Sequence, residues 1–189
     1  MTRIRIRPTA LLATVALTIA VFSATATWAG KPPERPAETL TIVDLDGSTV
    51  TLTVQNLRAM PQVAVKEHIC VGEEVGFIGI ADYSGVLLTD VLKKAKAAQA
   101  PGDYKKRNMY ILLKGTDAYQ VITTWYDLET PGGSRAMIAI DKNGKPLPPA
   151  VGKFRNVFPA DKYFGRSIMC LDHIEIHVVP GVVEKKTEE

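Results

Sequence analysis

The alternation of apolar and polar positions along the chain predicts a domain made mainly of β-strands. Residues 40–45 and 49–54 are rich in β-branched side chains and flank Asp46-Gly47, a dipeptide that is typical of tight hairpin turns. Residues 62–69 alternate apolar and charged side chains, which indicates a half-buried strand. Further strands are predicted at 109–113, 119–124, 136–141, 154–158 and 168–179.

Helical patterns are few and short. A short helix is predicted at 54–59, and a longer one at 90–98, with Thr89 as its N-cap and an apolar face that opposes a lysine-rich one. Four glycines in residues 71–85 predict a winding loop with at most short strands. Because strands outnumber helices without regular alternation, the fold class is α+β, with a mainly antiparallel or mixed β-sheet and a few short helices.

The first 29 residues have the order of a cleavable secretory signal peptide. Three arginines precede an apolar run at 11–22, and small residues then lead to Ala29, the predicted cleavage site, with Ala26 as a second possible site. The alternative is an uncleaved anchor, but the run is shorter than the roughly 20 apolar residues that span a bilayer. The arginines form no twin-arginine pair, so the signal resembles the Sec type and predicts a periplasmic or secreted protein.

Removal of residues 1–29 leaves a chain of ordinary length for one domain. Residues 30–38 are rich in proline and charge, which predicts a linker, and residues 184–189 form a short charged tail. The domain itself is therefore expected at 39–183.

Charge and hydropathy argue against two classes of protein, nucleic-acid-binding proteins and integral membrane proteins. The formal net charge of +3 comes from the three signal arginines, because the rest of the chain carries 20 basic and 20 acidic residues. A neutral mature domain gives no support for nucleic-acid binding, which usually shows a basic patch. No segment after the signal is apolar for long enough to span a bilayer, so no integral membrane protein is expected after cleavage.

Several short strings occur in an order that resembles the molybdopterin-binding domain of the sulfite oxidase family. They cover nearly the whole mature chain. No single string is specific to the family, but their order along the chain is. The strings are NLRAMP (56–61), Cys70 with the glycine-containing segment after it, SGVLLTDVL (84–92), GTDAY (115–119), NGKPL (143–147), GKFRNVFP (152–159) and GRS (165–167).

The resemblance implies a site and a chemistry. It makes Cys70 the thiolate ligand of molybdenum, a role that suits a soft and strongly donating sulfur. It places Arg155, Arg166 and Ser167 near the anionic phosphate of the pterin or near an oxyanion substrate, which a guanidinium can bind through two parallel hydrogen bonds. Such an oxidoreductase would move an oxygen atom and two electrons on a small anion. It would need an electron-transfer partner such as a cytochrome, because the chain has no haem attachment motif.

Other interpretations of the same residues stay open. Cys70 could form a disulfide with Cys170 or remain an inert buried thiol. His68 would share a strand face with Cys70 as a possible metal pair, whereas strand alternation separates Cys170 from His173 and His177. For the whole protein, the alternative to an oxidoreductase is a cofactor-free periplasmic binding or interaction module on the same fold.

Overall fold

The computed structural model describes residues 37–95 and 108–180. The predicted signal peptide (1–29), nearly all of the predicted linker and the predicted tail (184–189) lie outside the described residues. The elements in chain order are β1 (Leu40–Val43), β2 (Thr49–Leu52), α1 (Val54–Arg58), β3 (Val63–Gly72), β4 (Gly76–Leu87), α2 (Leu88–Leu92), β5 (Met109–Gly115), β6 (Gln120–Thr124), α3 (Trp125–Glu129), β7 (Met137–Lys142), β8 (Lys145–Pro146), β9 (Arg155–Val157) and β10 (Leu171–Val178). Short 3-10 turns occupy Gly133–Arg135, Pro149–Val151 and Phe164–Arg166.

The described strands form two sheets. The first has the order β2-β1-β10-β5-β6, and its only parallel pair is β1 with β10. The second has the order β3-β4-β7-β8, with β9 also paired to β7, and all its pairs are antiparallel. Mostly antiparallel sheets with few short helices confirm the predicted α+β class.

Local sequence chemistry accounts for several of these boundaries. The Asp46-Gly47 turn joins β1 to β2 as predicted, with Gly47 at φ 78°. Helix α1 starts with a capping box, in which the backbone N–H of Asn56 donates to Thr53 Oγ1 and that of Thr53 donates to Asn56 Oδ1. The same reciprocal pattern between Thr124 and Asp127 starts α3.

Strand β7 of the second sheet is buried on both faces, and two cores therefore flank the sheet there. One face packs against the first sheet and the helices, and its residues Val86, Ile138 and Ile140 belong to the main core. The opposite face carries a smaller core. Its buried members are Val65, Cys70, Ala81, Tyr83, Met137, Ala139, Leu147 and Val157. Cys70 therefore lies in the smaller core, on the face of the sheet turned away from the main one.

The structure differs from the predicted local structure in three places. Residues 71–85 form no winding loop, because β4 pairs with β3 on one side and with β7 on the other over most of this stretch. Helix α2 begins at Leu88 without a side-chain cap from Thr89, and its helical residues end at Leu92, while residues 96–98 of the predicted helix lie outside the described residues. The final strand, β10, begins at Leu171, three residues after the predicted start. None of the described helices is both long enough and apolar enough to cross a membrane.

Candidate functional site

Cys70 lies near the end of β3 with its side chain turned into the smaller core. The residue is 5% exposed. Its Sγ atom lies 3.8 Å from the backbone carbonyl oxygen of His68 and 4.0 Å from the phenolic oxygen of Tyr83. Tyr83 reaches this position from β4, where the alternation of the strand turns Ala81 and Tyr83 inward. On β3 the same alternation turns His68 and Cys70 inward.

Arg155 enters the same core from β9 and is the buried cation of the site. Its Nε–H donates to Ser167 Oγ at 2.9 Å, and Ser167 in turn donates to the backbone oxygen of Asn156. The guanidinium carbon lies 4.1 Å from the centre of the Phe164 ring and 5.8 Å from that of Tyr83. No carboxylate of the described residues forms an ion pair with Arg155, and burial lowers its pKa.

His68 completes this group of side chains. It is 8% exposed, and its Nε2 atom has no hydrogen-bond partner among the described residues. Its ring lies 5.5 Å from that of Phe164 and 6.1 Å from that of Tyr83, measured between centres. Burial lowers the pKa of His68, and the positive charge of Arg155 lowers it further. We call His68, Cys70, Tyr83, Arg155 and Phe164 the thiol–arginine cluster.

The cluster keeps its phenol and imidazole neutral at physiological pH. Burial is the main cause that raises the pKa of Tyr83 to about 12, although Arg155 acts in the opposite direction. Phe164, in the 3-10 turn Phe164–Arg166, stacks on Arg155 and lies over the group. The cluster is therefore a water-poor environment with one buried positive charge beside a thiol.

The lowered pKa of His68 predicts a loss of stability in acid. The unfolded chain takes up a proton on His68 as the pH falls through about 6.5, the ordinary value, whereas the folded chain resists it. The contribution of His68 is therefore fully present above that pH and is lost as the pH falls towards its folded pKa. We expect His68→Gln to flatten the fall in unfolding free energy between about pH 7.5 and 5.5, measured by urea titration. Equal slopes for both proteins would contradict this.

Arg166, the second predicted arginine, lies apart from the thiol–arginine cluster in a tight ion pair. Its Nε–H and Nη2–H donate to the two carboxylate oxygens of Asp161 at 2.7 and 2.6 Å, and its guanidinium stacks on Phe158. The bond to Asp161 raises the pKa of Arg166. Its predicted role toward the pterin phosphate or an oxyanion substrate stays a prediction.

Two adjacent cavities meet at this ion pair. The larger, of about 510 Å³, is lined by Glu73, Tyr119, Asp161, Lys162 and Arg166 among others. The smaller, of about 360 Å³, shares Asp161 and Arg166 with it. Neither is lined by Cys70 or Arg155, so these surface cavities and the thiol–arginine cluster are separate features.

Among the alternative pairings from the sequence, the disulfide and the metal group on β10 find no support in the described part of the chain, whereas His68 and Cys70 share the inward face of β3 as predicted. Cys70 and Cys170 are both free thiols, and Cys170 packs in another place, with Sγ 3.8 Å from the carbonyl oxygen of Ala150. His173 and His177 share a face of β10 as predicted, but each contacts a neighbouring carboxylate of its own strand. The described residues contain no group of three or more His, Cys, Asp and Glu placed to hold a metal ion.

Sequence reasoning missed Tyr83 and Phe164. Tyr83 was overlooked because its segment was interpreted as a loop, although the alternation of Ala81 and Tyr83 is the signal of an inward strand face. Phe164 lies in a turn, where no periodicity indicates which side chains point inward.

The residues of the thiol–arginine cluster suit an anionic group whose metal takes a thiolate ligand. Cys70 offers one sulfur donor, and the buried Arg155 lacks a counter-charge, which an anion would supply. The orphaned Nε2 of His68 is a buried polar atom that still needs a partner. No carboxylate adjoins Cys70 or Arg155 within ion-pair or hydrogen-bond distance in the described residues, so the donor set is unlike that of a hard-cation site. The phosphate-bearing pterin of the family fits this chemistry.

Comparison with known proteins agrees with the fold and the family. The model of the oxidoreductase molybdopterin binding domain matches residues 29–180. The crystal structure of the sulfane dehydrogenase SoxCD from Paracoccus pantotrophus superimposes with a TM-score of 0.56 at 18% sequence identity. The match covers 74% of this chain and only 38% of the SoxCD chain, and at that identity it shows the fold alone. No curated protein sequence matches the chain.

The family match extends over most of the sequence and includes the whole thiol–arginine cluster. It confirms the resemblance to the sulfite oxidase fold and does not favour the cofactor-free alternative. The chain belongs to the family of oxidoreductase molybdopterin binding domains.

Proposed function

We propose that the protein is an exported molybdopterin-dependent oxidoreductase that transfers an oxygen atom and two electrons on a small anionic substrate. The observation that carries the proposal is the buried Arg155, which forms no ion pair with any carboxylate of the described residues and lies in the same core as the Cys70 thiol. A buried charge without a counter-ion is costly to a folded protein, so its presence favours a role in binding an anion.

Different residues would hold different parts of the cofactor. Cys70 would supply the protein's sulfur ligand to molybdenum, and Arg155 would pair with an anionic oxygen of the cofactor or of the substrate. Ser167 is a positioning residue, because its hydroxyl fixes Nε of Arg155 and leaves the other nitrogens of the guanidinium for the anion. When bound, the molybdenum cofactor supplies the two-electron redox change and the site of oxygen transfer.

The overall reaction balances with water and a separate electron carrier. The substrate gains one oxygen atom from water, and two protons and two electrons leave. The protons pass to solvent and the electrons to an electron-transfer protein such as a cytochrome, because the sequence contains no haem attachment motif. Tyr83 keeps its proton throughout, since its pKa is raised to about 12, and can therefore act as a hydrogen-bond donor beside the sulfur.

Export completes the proposal and is supported by residues 1–29. Their positive start, apolar run and small residues before Ala29 are typical of a Sec-type signal peptide, so we infer a periplasmic or secreted location.

The test is the molybdenum content of the mature protein. We expect about one molybdenum per chain by mass spectrometry when the protein is purified from the periplasm of a host that makes the cofactor. Cys70→Ser should reduce the metal to background while the circular dichroism spectrum is retained. Cys170→Ser is the matched control, since it also alters a buried free thiol, and it should keep the metal. A folded wild-type protein without molybdenum from that host would overturn the proposal.

A further inference from the structure

Strand β3 has one residue too many for regular pairing with β4 just before the thiol–arginine cluster. The register is regular up to Val65 and is regular again at His68. Between these two positions, Lys66 and Glu67 together lie opposite Asp82 alone. Two residues of one strand opposite one residue of its partner form a β-bulge.

The bulge decides which side chains of β3 face inward. Because side chains alternate along a strand, an unbroken β3 with Val65 inward would turn Ile69 inward and Cys70 outward. The extra residue shifts the alternation by one position. Val65, His68 and Cys70 are in fact buried, whereas Ile69 is 58% exposed. The bulge is therefore what turns the Cys70 thiol into the thiol–arginine cluster.

A second register shift follows Cys70 and leaves this alternation unchanged. There the extra residue is Ile78, which belongs to β4. Because β3 itself gains no residue at this point, Gly72 is again buried, in step with His68 and Cys70. The orientation of Cys70 therefore depends on the first bulge.

The backbone of the first bulge is strained, and Asp82 stabilises it. Glu67 has a φ of 50°, in the left-handed region that residues other than glycine rarely adopt. Its N–H donates to Asp82 Oδ1 at 2.8 Å. The ammonium group of Lys66 donates to the other carboxylate oxygen, Oδ2, at 2.9 Å. One carboxylate thus holds both residues of the bulge.

Asp82 is itself fixed by the turn between β7 and β8. Its N–H donates to Asn143 Oδ1 at 2.8 Å, and its carbonyl oxygen accepts from the N–H of Asn143 at 2.9 Å. The hydrogen bond from Glu67 is the main cause that lowers the pKa of Asp82, so the carboxylate is ionised at physiological pH. A fixed and charged acceptor therefore lies opposite the strained residue.

We propose that Asp82 is a positioning residue for Cys70. Its carboxylate stabilises the bulge in β3, and the bulge turns the thiol into the thiol–arginine cluster. The inference rests on the proposed function only for what the thiol binds, because the orientation of the thiol is a property of the metal-free chain.

The rate at which N-ethylmaleimide labels Cys70 tests this role in the mature, metal-free protein from a host that lacks the cofactor. Cys170→Ser leaves Cys70 as the only thiol of the chain, and this protein is the parent of all the other variants. We expect Asp82→Ala to be labelled at least about tenfold faster than the parent, because it loses a hydrogen bond to a charged group. The Asp82 side chain is 36% exposed, so alanine there should fold.

Two substitutions separate the carboxylate's bond to the bulge from its ion pair. Asp82→Asn keeps an oxygen acceptor for the N–H of Glu67 and should be labelled nearly as slowly as the parent. Lys66→Met is the matched control, because it removes the ammonium group and leaves the bond from Glu67 to Asp82 in place. It should not change the rate.

Glu67→Gly should reverse the effect of Asp82→Ala. Glycine adopts a φ of 50° without strain, so the bulge then no longer depends on the carboxylate. We expect the double variant to be labelled within about threefold of the parent. A general structural role of Asp82 would not be rescued by glycine at the bulge.

Slow labelling of Asp82→Ala would overturn the positioning role, as would fast labelling that Glu67→Gly does not slow. Labelling rates that simply follow the global free energies of unfolding in urea would also overturn it. The molybdenum content of the unsubstituted protein, from a host that makes the cofactor, tests the proposed function separately. A protein without molybdenum would contradict that function, whereas fast labelling rescued by Glu67→Gly would still support the role of Asp82.

Discussion

Gly85→Ala is expected to lower the free energy of unfolding by about 3 kcal/mol or more. A Cβ atom at this position would lie 2.0 Å from the carbonyl oxygen of Ile138 and 2.8 Å from the Cα atom of Ala139. Both are backbone atoms of β7, so no side-chain rotation relieves the clash, and β4 must separate from its neighbour.

Gly132→Ala is the control for the loss of a glycine as such. Its Cβ atom would lie 3.6 Å from that of Ala160, an ordinary contact, and its backbone is already helical at φ −72°. We expect a change within about 0.5 kcal/mol in the same urea titration. If Gly85→Ala lowered the free energy of unfolding as little as this control, that result would contradict the close approach of β4 to β7.

Gly85 also shows why the prediction of a loop at residues 71–85 was wrong. Glycines are typical of loops, and four of them in residues 71–85 favoured that interpretation. Gly85, however, is required by its contact with Ile138, which lies 53 positions further along the chain, and a contact of that kind leaves no local pattern. The Asp46-Gly47 hairpin was predicted correctly because its turn depends only on its own residues.

The candidate site was predictable to the same limited degree. Cys70 and Arg155 were found through the order of short motifs, and the structure brings both into one core. Arg166 was found the same way, but its bidentate pair with Asp161 depends on the path of the loop between them. Phe164 covers the cluster from a turn whose direction only the folded chain defines.

Binding sites are places where a protein sacrifices stability, and Arg155 has the features of such a residue. The residue is 7% exposed, yet the described residues provide only the hydroxyl of Ser167 and the faces of two aromatic rings as partners of its guanidinium. These contacts compensate part of the desolvation of the charge, and an ionised partner is what would compensate the rest. The structure therefore predicts opposite effects on stability and on function when the charge is removed.

Arg155→Met should raise the free energy of unfolding of the metal-free protein by about 1 kcal/mol, because methionine fills similar space without a charge to desolvate. The same change should reduce molybdenum occupancy at least tenfold, since a charge-assisted contact contributes about 1.5–3 kcal/mol to binding. Arg155→Lys keeps the charge and loses the planar fork. It should therefore show no rise in the free energy of unfolding and should bind less molybdenum than the unsubstituted protein but more than Arg155→Met.

The control for the predicted rise in the free energy of unfolding is Arg58→Met. It removes an exposed arginine that binds both oxygens of Asp141 at 3.0 and 2.7 Å. Loss of that surface pair should lower stability by less than about 1 kcal/mol and leave the metal content unchanged. A loss of more than about 2 kcal/mol in Arg155→Met would instead make Arg155 a structural residue of the smaller core. Its burial would then need no anion to explain it, and the cofactor proposal would depend on Cys70 alone.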